Sequence, residues 1–117
     1  MSAHGHRIER LTERIYEDVA EMVAGELKDP RIGLATVTHV ELSPDLRRAR
    51  VLVSVMGDAE AKAQTLEGLS SAAGYVCREL GRRLALRHTL EVLFVLDRGL
   101  EEQAKVESLL KEAQRDS

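Results

Sequence analysis

Ala49, Val51, Val53 and Val55 take every second position of residues 47–56, and Arg48, Arg50, Leu52 and Ser54 fill the positions between. Successive side chains of a strand point to opposite faces, so this stretch reads as a strand with one apolar side and one largely polar side. Such a strand commits the chain to a sheet buried on a single face, and other segments must cover that face.

The flanking segments can do so. Ile8, Leu11, Ile15, Val19, Met22, Val23 and Leu27 recur at three- and four-residue spacing, which predicts an amphipathic helix over residues 7–28. Asp29-Pro30 ends it, because the residue before proline is pushed out of helical geometry. Residues 34–42, rich in Thr and Val, read as a first strand. Ser43-Pro44-Asp45-Leu46 is a turn by composition, so the two strands form an antiparallel hairpin.

Residues 59–87 are helical, with Leu66, Leu69, Ala73, Val76, Leu80 and Leu84 on the buried face. Their middle, Ser70-Ser71-Ala72-Ala73-Gly74, joins Ser and Gly as sharp kinks do, and predicts two helices with a break near Gly74. Residues 90–96 form a third strand whose near-continuous apolar run points to burial on both sides or a central place in the sheet. Asp97 can cap a last helix within 99–117. The order predicts a two-layer α+β fold, a three-stranded sheet with its helices on one face. The pairing of the third strand stays open; if it runs parallel to the second, the crossover is right-handed.

A chain of 117 residues is one domain. No apolar run nears the ~20 residues of a membrane span. His4, His6, Arg7, Glu9 and Arg10 stand where a signal peptide would be apolar. Cys77 is the single cysteine, which excludes an internal disulfide and a Cys-x-x-Cys zinc site and fits a reducing, cytoplasmic setting. Tyr16, Tyr75 and Phe94 are too few aromatics for a base-stacking platform. No Gly-rich phosphate loop, nucleophile elbow or paired-carboxylate motif is present. His39 and His88 have no fixed partner in the sequence, and His4 with His6 is a poor metal pair at the chain's start. No catalysis, cofactor or metal is expected.

The net charge is −3, yet it is unevenly spread. Residues 30–50 carry four basic groups against two acidic, and residues 71–98 carry five against three. Arg7, Arg10 and Arg14 share one stripe of the first helix. Arg78 and Arg82 lie opposite the apolar face of the second helical stretch, with Arg83 on its flank and Arg87 near its end. A polyanion feels local potential, not the sum. These arginines, with Arg31, Arg48 and Arg50, are therefore candidate contacts to the phosphates of a polyanion and could converge on one surface. The competing reading is a set of solvated faces paired with acids such as Glu79, and strand charges that block sheet stacking. A helix beginning at Gly74 would also offer free N–H groups to a phosphate, with Ala72 and Ala73 leaving room; the alternative is that small residues let the helix pack tightly. Asp29, Pro30 and Arg31 read as mainly structural, with Arg31 also open to a polyanion, and Asp45 as a backbone cap.

Several ordered pieces resemble one family. They are Arg7-x-x-Arg10-Leu11, Leu27-Lys28-Asp29-Pro30-Arg31-Ile32, and Val37-Thr38-x-Val40-Glu41-Leu42-Ser43-x-Asp45-Leu46-x-x-Ala49-Arg50-Val51. Ala72-x-Gly74 with Arg78, Leu86-Arg87, and Phe94 with Asp97 follow. Over about residues 7–110 the chain is similar to the bacterial ribosome-binding factor A family. The resemblance implies a K-homology-like fold of the prokaryotic type at 7–98, with a C-terminal helix and tail at 99–117. It implies an Ala-x-Gly kink at Ala72, Ala73 and Gly74 in place of a Gly-x-x-Gly loop. It further implies a monomeric assembly factor that binds the small (30S) ribosomal subunit and its 16S rRNA and assists late maturation, including 5′-end processing. It implies too that RNA is the polyanion the arginines named above would meet, that need for the factor is greatest in the cold, and that a ribosome-associated GTPase assists its release. Two departures stand out: Leu90 replaces a usual proline, and residues 99–117 are short and acidic where many members carry a basic tail. The overall acidity also admits a protein-interaction module that does not bind RNA.

Overall fold

In a computed structural model, the structure describes residues 3–99, with side chains from residue 6 onward. Helix α1 spans Ala3–Glu21 and runs into a π-helical turn, Met22–Glu26. Strands β1 (Ala35–Leu42) and β2 (Arg48–Val55) follow, then helix α2 (Ala59–Arg83) and strand β3 (Glu91–Leu96). The expected helix over 99–117 lies outside the described residues.

The alternation of residues 47–56 has the predicted outcome. Ala49, Val51, Val53 and Val55 are buried, while Arg48, Arg50 and Ser54 are exposed. β2 is the central strand: it pairs antiparallel with β1 and parallel with β3, Val51 standing opposite both Val40 and Phe94. The α1 residues Ile15 and Val19, Met22 of the turn that follows, and the α2 residues Leu69, Val76 and Leu80 close over the same face with no exposed surface. The helices therefore form one layer and the sheet the other, which leaves the outer sheet face to solvent.

Three expectations need correction. The third strand is an edge strand, not a central one: Leu93 is 56% exposed on the outer face, and the apolar run reflects Leu90, Val92 and Phe94 turned into the core. The first helix begins earlier than residue 7, and its α-helical part ends at Glu21. There the turn widens, so that the Leu27 N–H reaches the Met22 carbonyl at 3.1 Å before the chain becomes extended.

The third correction concerns α2, which is a single helix of 25 residues with no break at Gly74. A helical glycine costs about 1 kcal/mol against alanine. Buried Thr65 and Leu69 before Gly74, and Val76 and Leu80 after it, hold the helix to the sheet on both sides and outweigh that cost. The Asp58 carboxylate caps the start by accepting from the Ala61 N–H at 2.9 Å. The helix stops at Arg83, four residues short of expectation, where Ala85 adopts the left-handed conformation at φ 50°. The Leu86 N–H then bonds back to the Gly81 carbonyl at 3.1 Å, the six-to-one bond of a Schellman turn.

Candidate nucleic-acid interface

The helix layer carries the first basic stripe. Arg7, Arg10, Arg14 and Asp18 follow at intervals of three and four, so they form one row along α1. Asp18 faces Arg83 at the end of α2, where its charge helps raise the Arg83 pKa. The C-terminal end of the row therefore lies toward the end of α2. All three arginines are exposed, and among the described residues none of them pairs with a carboxylate.

Where α1 meets the end of α2, the cations are pinned. The Arg83 guanidinium donates to both Glu26 oxygens at 3.1 and 2.8 Å, and to Glu79 at 3.4 Å. Burial works against its charge, but Glu26, Glu79 and Asp18 more than offset this and hold its pKa up. Arg82 forks onto Glu79 with bonds of 3.1 and 3.0 Å, which holds the Glu79 carboxyl below its usual range. Arg78 and Arg87 are exposed and, among the described residues, without a carboxylate partner. The Arg78 guanidinium lies back along α2, its Nη1 3.5 Å from where a Cβ on Gly74 would sit.

Arg31 belongs to a structural lock. Its guanidinium grips Asp29 at 3.0 and 2.5 Å and reaches Ser71 and Glu67 on α2. The Arg31 side chain and backbone N–H together hold the Asp29 carboxyl down to about 2. Sequence reading missed the rest of this lock. Thr65, buried inside α2, accepts from the Gly33 N–H at 3.1 Å, and the chain at 29–33 presses on α2 at Gly68. The available signal was an isolated glycine inside a helical pattern, which often marks close packing.

Arg48 and Arg50 lie elsewhere. Both sit on the outer sheet face, opposite the helices, where Arg50 meets Glu41 at 2.9 Å and Arg48 meets Glu91 at 3.4 Å. The expected convergence of all the basic segments on one surface thus fails for the β2 pair. Alternation along β2 forces it: if Ala49 and Val51 are in the core, Arg48 and Arg50 point away from it. Residues 72–74 form no phosphate cradle either, since an unbroken α2 frees no N–H groups there.

Other polar contacts are architectural. The register of β1 slips between Val37 and His39, and the Thr38 hydroxyl sits between Asp97 Oδ2 at 2.6 Å and the Leu52 carbonyl at 3.2 Å. Asp97 also accepts from the Gly99 N–H at 3.0 Å. In the β1–β2 turn, Asp45 accepts from the Ser43 hydroxyl and the Arg47 N–H, as a backbone cap does. No group of three metal-ligating side chains occurs among the described residues, and the side chain of His4 lies outside them.

A model of the family described as ribosome-binding factor A matches residues 7–110. A ribosome-binding factor A of Acetivibrio thermocellus is 49% identical over 107 residues, covering 91% of this chain and 87% of the relative. The crystal structure of ribosome-binding factor A from Thermus thermophilus superposes with a TM-score of 0.68 at 30% identity, over 78% of this chain and 96% of that one. A Thermus thermophilus homology model fitted into a cryo-EM map of a 30S–ribosome-binding factor A complex gives a TM-score of 0.62 at 31% identity, over 75% and 92%.

Proposed function

This chain belongs to the ribosome-binding factor A family, and on that footing we propose that it binds the small ribosomal subunit through 16S rRNA, with the helix layer turned toward the RNA. The observation that carries the reading is the row Arg7, Arg10, Arg14 on α1, exposed and free of carboxylates among the described residues. Guanidinium groups in that state are available to phosphates at little desolvation cost, whereas Arg82 and Arg83 must first give up Glu79 and Glu26. Arg48 and Arg50 face the other way and take a secondary part at most.

The factor acts by binding rather than by catalysis. In this reading it assists late maturation of the 30S subunit, including processing at the 5′ end of 16S rRNA. It works as a monomer in the cytoplasm, is needed most in the cold, and leaves the subunit with the help of a ribosome-associated GTPase. Family membership supports these finer points, and the 30S complex into which the Thermus relative was fitted supports the small subunit as the partner.

Sedimentation with purified 30S subunits at a series of salt concentrations tests the proposal. The wild-type protein pellets with the subunit at low salt, and the variant R7Q/R10Q/R14Q binds more weakly with a shallower salt dependence. Each phosphate that the variant no longer neutralises lowers the slope by roughly 0.7–0.9 units. A wild-type protein that stays in the supernatant at low salt overturns the reading. Binding that ignores both salt and the three substitutions would favour a protein-contact module instead.

A further inference from the structure

Among the described residues nothing covers the outer face of the sheet, and the middle of that face is apolar. Leu93 of β3 is 56% exposed there, and the cross-strand pair Leu52 and Val95 beside it is only half-buried. Arg50 stands opposite Leu93 and is held by Glu41, and Arg48 is held by Glu91, so each basic residue of β2 on this face is matched by a carboxylate. With Leu42 and Leu93, these charged side chains line a hollow of about 440 Å³ at one end of the sheet. At the other end, where β2 and β3 both finish, Leu34 and Met56 are 75% and 72% exposed. The Met56 N–H bonds to the Leu34 carbonyl at 3.0 Å and keeps the two side by side. Balanced charge gives a polyanion no potential to follow, whereas exposed apolar side chains of this size call for an apolar partner.

The chain itself supplies one. Residues 100–117, outside the described residues, continue from the end of β3. Asp97 fixes where they begin, since its carboxylate accepts from the Thr38 hydroxyl of β1 at 2.6 Å and from the Gly99 N–H at 3.0 Å. In their sequence Val106, Leu109, Leu110 and Ala113 recur at three- and four-residue spacing, and five acidic and three basic residues occupy other positions. We propose that residues 100–117 fold back over the outer face of the sheet as an amphipathic helix, with Val106 over Leu52 and Val95 and with Leu109 and Leu110 over Leu93. The length fits. Leu93 lies three residues before the end of β3, roughly 10 Å at ~3.3 Å per residue. Residues 100–109 span about 15 Å as a helix, which leaves a few ångströms for the return at 97–99. The mixed charges beside the apolar stripe meet a face that itself carries both signs. The sheet is then enclosed on both sides, with Arg48 and Arg50 covered and the Arg7, Arg10, Arg14 row left open on the opposite layer. The contact lies within the chain and holds whether or not the ribosomal reading does.

NMR on the full chain tests this. In the unsubstituted protein, methyl groups of Leu93 show NOEs to those of Leu109 or Leu110; their absence overturns the proposal. A spin label gives the second measurement. Cys77→Ala removes the natural thiol, and Ser108→Cys places a label on the side of the segment away from its apolar stripe. The label causes loss of amide signal at Arg50, Leu52, Leu93 and Val95 and spares Arg7, Arg10 and Arg14. Adding Leu109→Asp and Leu110→Asp restores the lost signal, and so does Leu93→Asp alone. Leu93 is exposed and the other two lie outside the described core, so these variants keep the fold, and a dispersed amide spectrum checks that. Signal loss that misses the sheet, reaches the α1 arginines equally, or survives both sets of substitutions overturns the proposal. Mixing spin-labelled protein with isotope-labelled protein that lacks the spin label separates the remaining occupant. Loss of signal in the unlabelled partner would mean that a second copy covers the face, and would also overturn the proposal.

Discussion

Gly68 of α2 and Ile32 of the chain that follows α1 approach so closely that a Cβ on Gly68 would lie 2.8 Å from the Ile32 Cγ1 atom. The same Cβ would be 3.2 Å from Arg31 and 3.4 Å from Asp29. All three residues belong to the segment that Arg31 and Thr65 tie down, so the neighbours have little freedom to retreat. Gly68→Ala is expected to destabilise the fold by about 1–3 kcal/mol through overpacking, despite the helix propensity it gains. Chemical denaturation measures it.

Gly74 gives the opposite result. A Cβ there would meet only the Arg78 guanidinium, at an ordinary 3.5 Å. Since α2 continues through this position, Gly74→Ala is expected to stabilise the protein by about 0.5–1 kcal/mol. A loss of stability would show that the helix must bend at this point.

Ala85 is held at φ 50°, a region where a Cβ is crowded by the backbone. Glycine takes that conformation without the clash, although it is more flexible when unfolded. Ala85→Gly is expected to stabilise by about 0.5–1 kcal/mol, read as a rise in thermal midpoint.

Asp29 makes stability depend on acidity. Hydrogen bonds from the Arg31 side chain and backbone lower its pKa from 3.8 to about 2. A carboxylate whose pKa is depressed by folding stabilises the native state above its unfolded value, and that contribution fades as pH falls through the folded value. The stability gap between wild type and Asp29→Asn should therefore be full near neutrality and shrink between about pH 4 and pH 2. A gap that stayed constant over this range would exclude the carboxylate charge as its source.

The strands, their order along the chain and the buried face of β2 were readable from residue spacing, because the two-residue period of a strand and the 3.6-residue period of a helix are local properties. So were the stripe Arg7, Arg10, Arg14 and the capping part of Asp45. The break at Gly74 misled, since a local preference worth about 1 kcal/mol yields to packing on both sides of it. The apolar run of β3 misled for a related reason: Leu93 is apolar but faces solvent at an edge, and pattern alone does not say which strand ends the sheet.

Residue order thus settled most of the secondary structure, the two layers and the sign of charge on each segment. It left open which arginines are free to meet a phosphate. Arg82 and Arg78 look alike along α2, yet one is clamped by Glu79 and the other is not. Arg83 finds Glu26, far away in the chain, only once α1 and α2 lie side by side. Arg48 and Arg50 are sent to the far face by the burial of their neighbours. Ion pairing falls off steeply with distance, and distances between remote residues exist only after the chain has folded.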